Sequence, residues 1–347
     1  FDHWQVLLDE GENVTPGMPR APRPSGGNMY RNIMVPVDGS PFSREAVLHG
    51  LRLASQSGAI LRLVRVGTSA TITGGSDGFA VENQRLREIH TAELSELYSI
   101  AAECRAHSTV NVTASLQYGP VVDTLIGYAR RQNVDLIVMR SHGRKGFARA
   151  WFGSVADALI RESGIPVLVV KAPSVATAIE SGFVFNRILV PLDGSLLAEQ
   201  SIAPAVSLAR INGATITLLK VVTPSKQRLK GELESSIGPA PAGEVANAQR
   251  YLETCLGPEQ ERSVRVTRRV IVAEDIAGTI LGAADTMEAD LVAIATRGRG
   301  AIARATSGSV ADRVVRESPV STMVIHPVLL DADFRPAVIK NIAALSA

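Results

Sequence analysis

The 347-residue chain is predicted to fold as an α/β protein made of two tandem copies of one domain. Three observations carry that prediction. RNIMVPVDGS at Arg31–Ser40 returns as NRILVPLDGS at Asn186–Ser195. GSVADALIRES from Gly153 returns as GSVADRVVRES from Gly308, and both matches, like that of Gly143 with Gly298, keep one offset of 155 residues. Within each copy, short apolar runs of strand length alternate with longer helical stretches, the order that yields parallel strands joined by right-handed crossovers.

The elements follow in order. Ile33–Val37 is an apolar run ending at Asp38. Ser40 is placed to cap a helix, Pro41 suits its first position, and Gly58 stops it after about Ser57. Ile60–Val66 alternates as a half-exposed strand does, Gly67–Gly78 is a Gly/Ser/Thr-rich loop, and about Val81–Ala106 is a long helix. Val110–Gln117 is a strand, Pro120 opens a helix to about Gln132, and Leu136–Met139 is a buried strand. A helix over Gly153–Ser163 and a strand over Val167–Val170 complete the copy. The second copy repeats the series: Ile188–Leu192, Ser195–Ile211, Ala214–Val222, Ala240–Leu256, Val264–Val272, Ile276–Thr286, Leu291–Ala295, Gly308–Ser318 and Thr322–Ile325. An N-terminal arm (1–28), a linker (about 172–182) and a C-terminal tail (329–347) lie outside the repeat.

Composition narrows the function classes. With 8 Phe, 2 Trp and 5 Tyr, the core must come from Val, Ile, Leu and Ala, which suits sheets covered on both faces. Thirty-six basic against 34 acidic residues give no general reason to expect nucleic acid or an anionic membrane as partner. Two cysteines make neither a disulfide framework nor a zinc cluster. No apolar run approaches the ~20 residues that span a bilayer, and the opening FDHWQVLLDEGENV has no basic, then apolar, leader. A cytoplasmic protein is expected.

Ligands of open α/β sheets bind beyond the carboxyl ends of the strands, and the features common to both copies fall there. Asp38 and Asp193 follow the first strand of each copy. The loop after the fourth strand reads RSHGRKGFARAWFGS in one copy and ATRGRGAIARATSGS in the other. Each has a glycine, nine residues, then Gly-Ser at a helix start. Glycine lets backbone N–H groups approach an anion, and the helix start adds unpaired donors and a favourable dipole. Ser154 and Ser309 add a hydroxyl. The plainer alternative is that Gly-Ser only caps a helix and Asp-Gly-Ser only makes a turn and a cap.

VPVDGS and VPLDGS, with G-x9-G-S and a following apolar strand, resemble the universal stress protein family (UspA-like). The resemblance covers about Met29–Ala172 and Phe183–Val328, as in a tandem two-domain member. It implies two Rossmann-like (adenine nucleotide alpha hydrolase-like) domains. Each would have five parallel strands with helices on both faces, and the domains would pair side by side through Val167–Val170 and Met323–Ile325. Many members bind ATP or another adenine nucleotide, with or without magnesium; another branch binds none. The binding pattern carried over implies Asp38, Val66, Met139, His142, Gly143, Gly153, Ser154 and Val155 in the first copy. In the second it implies Asp193, Val221, Ile294, Arg297, Gly298, Gly308, Ser309 and Val310. The family pattern, G-x2-G-x9-G-[S/T], is broken at its first glycine by Arg140 and by Ala295. Ala295 is a small change. Arg140 is expected either to obstruct its pocket or to turn outward toward a phosphate.

Other residues were weighed against the same chemistry. Arg144, Lys145 and Arg149, and Arg297, Arg299 and Arg304, concentrate positive charge beside the proposed phosphate sites. His142 has no nucleophile beside it, and Arg297 replaces it in the other copy, so no catalytic residue is assigned. Cys104 and Cys255 are expected as buried structural thiols. There is no G-x4-G-K-[ST] loop and no paired strand-end carboxylates for two metals. The expectation is an adenine-nucleotide-binding stress-response module. A non-nucleotide scaffold of the same fold and a slow ATPase are the alternatives, and a homodimer and a protein partner are left open.

Overall fold

A computed structural model of the chain describes residues 29–67, 79–140, 153–171, 185–224, 242–296 and 310–326. The arm, the linker, the tail and most of both glycine-containing loops lie outside them. The first repeat runs β1 (Asn32–Pro36), α1 (Pro41–Ser57), β2 (Ile60–Gly67), α2 (Phe79–Ala106), β3 (Val112–Tyr118), α3 (Val121–Arg131), β4 (Leu136–Arg140), α4 (Ser154–Glu162) and β5 (Val167–Val170). The second runs β6 (Arg187–Pro191), α5 (Leu196–Glu199), α6 (Ile202–Asn212), β7 (Thr215–Val222), α7 (Ala242–Thr254), α8 (Pro258–Ser263), β8 (Arg265–Val272), α9 (Ile276–Thr286), β9 (Leu291–Ala295), α10 (Val310–Glu317) and β10 (Ser321–Ile325).

All ten strands form one sheet, in the order β3-β2-β1-β4-β5-β10-β9-β6-β7-β8. Pairing is parallel within each half and antiparallel at the seam, where Met323 lies opposite Leu168. The expected pairing of the two last strands is therefore present, and it merges two five-stranded sheets into one. Successive side chains of a strand point to opposite faces, which sorts the aliphatic residues into two cores. Ile33, Val35, Val138, Leu168, Val190 and Met323 pack with α1, α2, α6 and α7 on one face. Met34, Ile137, Val169, Leu189, Val292 and Val324 pack with α3, α4, α9 and α10 on the other. Each core runs through both halves. Tyr30, 1% exposed, stands just before β1 and reaches across the seam, its hydroxyl donating to the Pro204 carbonyl at 2.9 Å with Met323 Sδ 3.6 Å away.

The local signals of α1 behave as predicted. Ser40 Oγ accepts from the Ser43 N–H, Pro41 opens the helix, and Gly58 ends it at φ +68°. Its counterpart does not. One helix was expected over Ser195–Ile211, but α5 stops at Glu199 and α6 starts at Ile202. Pro204 explains the break: it has no N–H for the Gln200 carbonyl, and its ring clashes with that carbonyl in a continuous helix. The six residues of α8 fall where only a connection was expected; Gly257 precedes them and Pro258 takes the first position.

Candidate functional site

In the second repeat, β6 ends at Pro191, and the chain turns through Leu192, Asp193 and Gly194 into α5. Asp193 Oδ1 accepts from the Ser195 N–H at 2.8 Å, and Ser195 Oγ accepts from the Ala198 N–H at 3.2 Å. Turn and cap are thus both made, as the plainer reading of Asp-Gly-Ser has it. The turn still presents Asp193 at the strand end. Asp38 is held the same way, accepting from the Ser40 N–H at 2.9 Å.

A cavity of ≈ 520 Å³ opens over the carboxyl ends of β6, β7 and β9. Asp193, Val221, Ile294 and Val310, all expected from sequence, lie in its wall. Leu197 and Ala198 of α5, Ile276 and Ile280 of α9, and Ala295 close it. The sequence reading missed those of α5 and α9. The i, i+4 spacing of Ile276 and Ile280 was the available signal, but only the fold aims that stripe at the cavity. Asp193 is the single carboxylate in the described wall. Among the described residues no group of three or more His, Cys, Asp or Glu could hold a metal.

Val66, Met139 and Val155 are brought together in the first repeat, half-buried against the core under α3 and α4. Gly153 caps α4 through its backbone, and no side chain does so, which leaves Ser154 exposed at the first helical position. His142, Gly143, Arg297, Gly298, Gly308 and Ser309 lie outside the described residues. So do Arg144, Lys145, Arg149, Arg299 and Arg304. Of the two courses expected for Arg140, the outward one is not taken: the side chain is not turned to solvent but lies under α1, paired with Glu45. Cys104 and Cys255 are free and buried; burial raises both thiols above their ordinary value, Cys255 to about 11.

Behind the Asp193 turn sits a cation that the sequence reading did not single out. Lys220 Nζ donates to the Asp193 carbonyl at 2.7 Å and lies 4.9 Å from the Tyr251 ring centroid. Burial lowers its pKa, and the Asp193 charge opposes that shift. Burial likewise pushes the Tyr251 hydroxyl up, reinforced by Glu199. At the matching position of the first repeat Arg65 pairs with Glu96 at 2.6 Å. Gly194 has φ +92°, and a Cβ there would lie 2.9 Å from Lys220 Nζ. Gly194→Ala is therefore expected to cost about 1–2 kcal/mol through backbone strain and the displaced lysine. Urea denaturation of the variant checks this; an unchanged midpoint would refute it.

A protein-family model described as "Universal stress protein family" matches residues 29–171 and again 185–326. A universal stress protein of Mycolicibacterium smegmatis is 26% identical over 301 residues, spanning 85% of this chain and 97% of that protein. One from Mycobacterium tuberculosis is 27% identical over 314 residues, 84% of this chain and 94% of that protein. Among solved structures, a universal stress protein from Archaeoglobus fulgidus superposes with a TM-score of 0.60 at 20% identity. It covers 86% of this chain and 98% of its own.

Proposed function

The chain belongs to the universal stress protein family, and on that premise we propose that its C-terminal half binds an adenine nucleotide, ATP foremost. The observation that carries the reading is the cavity itself: four residues expected from sequence, Asp193, Val221, Ile294 and Val310, converge on one ≈ 520 Å³ space at the strand ends. That volume is within the range of small-molecule pockets, which are mostly apolar with a few placed polar groups. Val221 and Ile294 flank the base. Asp193 accepts from a ribose hydroxyl or the adenine amino group. Val310, at the start of α10, is in the same wall, so the positive end of that helix dipole favours the phosphates there. The nucleotide acts as a signal: its occupancy shifts the population of surfaces that a partner sees.

Asp193→Ala removes a hydrogen bond from a charged group, so ATP affinity should fall about tenfold to 150-fold, a loss of about 1.5–3 kcal/mol. Titration calorimetry of the full chain with ATP measures it. An affinity equal to that of the unaltered chain would end the assignment.

A further inference from the structure

Resting on that reading, we infer that Arg140 closes the N-terminal half to nucleotide, so that each chain holds one nucleotide and not two. Arg140 stands where the family motif has its first glycine, at the last position of β4. Its neighbour Met139 packs toward α3 and α4, so Arg140 leaves the strand on the α1 side. There its guanidinium is paired with Glu45 and lies 4.9 Å from the Phe42 ring centroid. The side chain is only 14% exposed. Phe42, Glu45 and His49 stand at i, i+3 and i+7 of α1, one stripe of the helix, and Arg140 is also one of the cations acting on His49. Ring, carboxylate and guanidinium thus pin the first turns of α1 onto the end of β4.

The second repeat has none of these parts. At the 155-residue offset, Phe42 becomes Leu197, Glu45 becomes Gln200, His49 becomes Pro204 and Arg140 becomes Ala295. The four changes act together. Pro204 breaks the helix, α5 stands apart from α6, and Leu197, Ala198 and Ala295 all become cavity wall. Leu197 and Ala295, which line the cavity, thus stand where Phe42 and Arg140 hold ring against guanidinium in the other half. Nor is Arg140 placed as a phosphate ligand, because its charge is matched by Glu45 on the α1 side, away from the face that carries Met139 and Val155.

Equilibrium dialysis of the full chain against labelled ATP tests the inference. One mole bound per mole of chain is expected, with the affinity lowered about tenfold to 150-fold in Asp193→Ala and unchanged in Asp38→Ala. Arg140→Ala should raise the stoichiometry to two, and adding Asp38→Ala to it should weaken the second site in the same way. The converse change, Ala295→Arg, should abolish binding, and it decides the matter if Arg140→Ala fails to fold. Two moles bound by the unaltered chain would overturn the inference alone. So would a folded Arg140→Ala chain that still binds one, or an Ala295→Arg chain that still binds. No binding by the unaltered chain would remove the nucleotide reading itself.

Discussion

Tyr30→Ala is expected to destabilise the chain by about 3–5 kcal/mol, the cost typical of deleting a fully buried aromatic side chain. The residue precedes β1, yet its hydroxyl reaches the Pro204 carbonyl and Met323 Sδ of the other half. The deletion therefore opens a void in a core that both halves share. Tyr30→Phe separates the two contributions. It keeps the ring and removes only the hydroxyl's hydrogen bond to the Pro204 carbonyl, for about 0.5–1.5 kcal/mol. Phe185, 155 residues on, is buried at the matching position and carries no hydroxyl, so this hydrogen bond belongs to one side of the seam only. Urea denaturation of the full chain measures both variants. A loss below about 1 kcal/mol for Tyr30→Ala would mean that the seam bears little of the stability. Because the sheet is continuous, the loss should also appear in probes placed in either half.

Why some features were legible before the fold was known, and others were not, follows from the range of the interactions that make them. Caps, proline starts and strand alternation are local, and the elements they predict appear within a few residues. The duplicated DGS segments located the ends of β1 and β6 because a repeated spacing constrains the fold twice. The break between α5 and α6 was within reach of the sequence: Pro204 lies nine residues past the cap, well inside the expected helix. Ser195 carried the expectation past it. Arg140 shows the opposite case. Its residue type announced a departure from the motif, but its direction depends on Glu45 and Phe42, about 95 residues earlier in the chain. No local pattern ties those positions together. Lys220 was missed for the same reason, since only the fold lays β7 beside the Asp193 turn.

His49 should make stability fall with pH in a window set by its own titration. Burial is the main cause that lowers its pKa from 6.5 to about 4, with Arg52 and Arg140 adding to it. Glu45, one turn back on α1, is paired with Arg140, one of those two cations. A folded-state pKa below the unfolded one means that the unfolded chain binds the proton more readily. Above pH 6.5 neither form is protonated, and His49 contributes no pH dependence. As pH falls from 6.5 toward 4, the unfolded state gains a proton that the folded state does not hold, and stability is lost. By pH 4 the loss attributable to this group is about 3 kcal/mol. Carboxylates titrate over part of the same range, so the measurement is a comparison. The unaltered chain and His49→Gln are unfolded in urea at pH 7, 5.5 and 4.5, and the unaltered chain should lose more stability on going down. Parallel curves would refute the assignment. Arg140→Ala removes one of the two cations that oppose the charged imidazole, so it should shrink the difference while His49 stays in place. That second readout ties the titration to the Arg140 side chain that holds α1 against β4, and separates it from a general effect of acid on the fold.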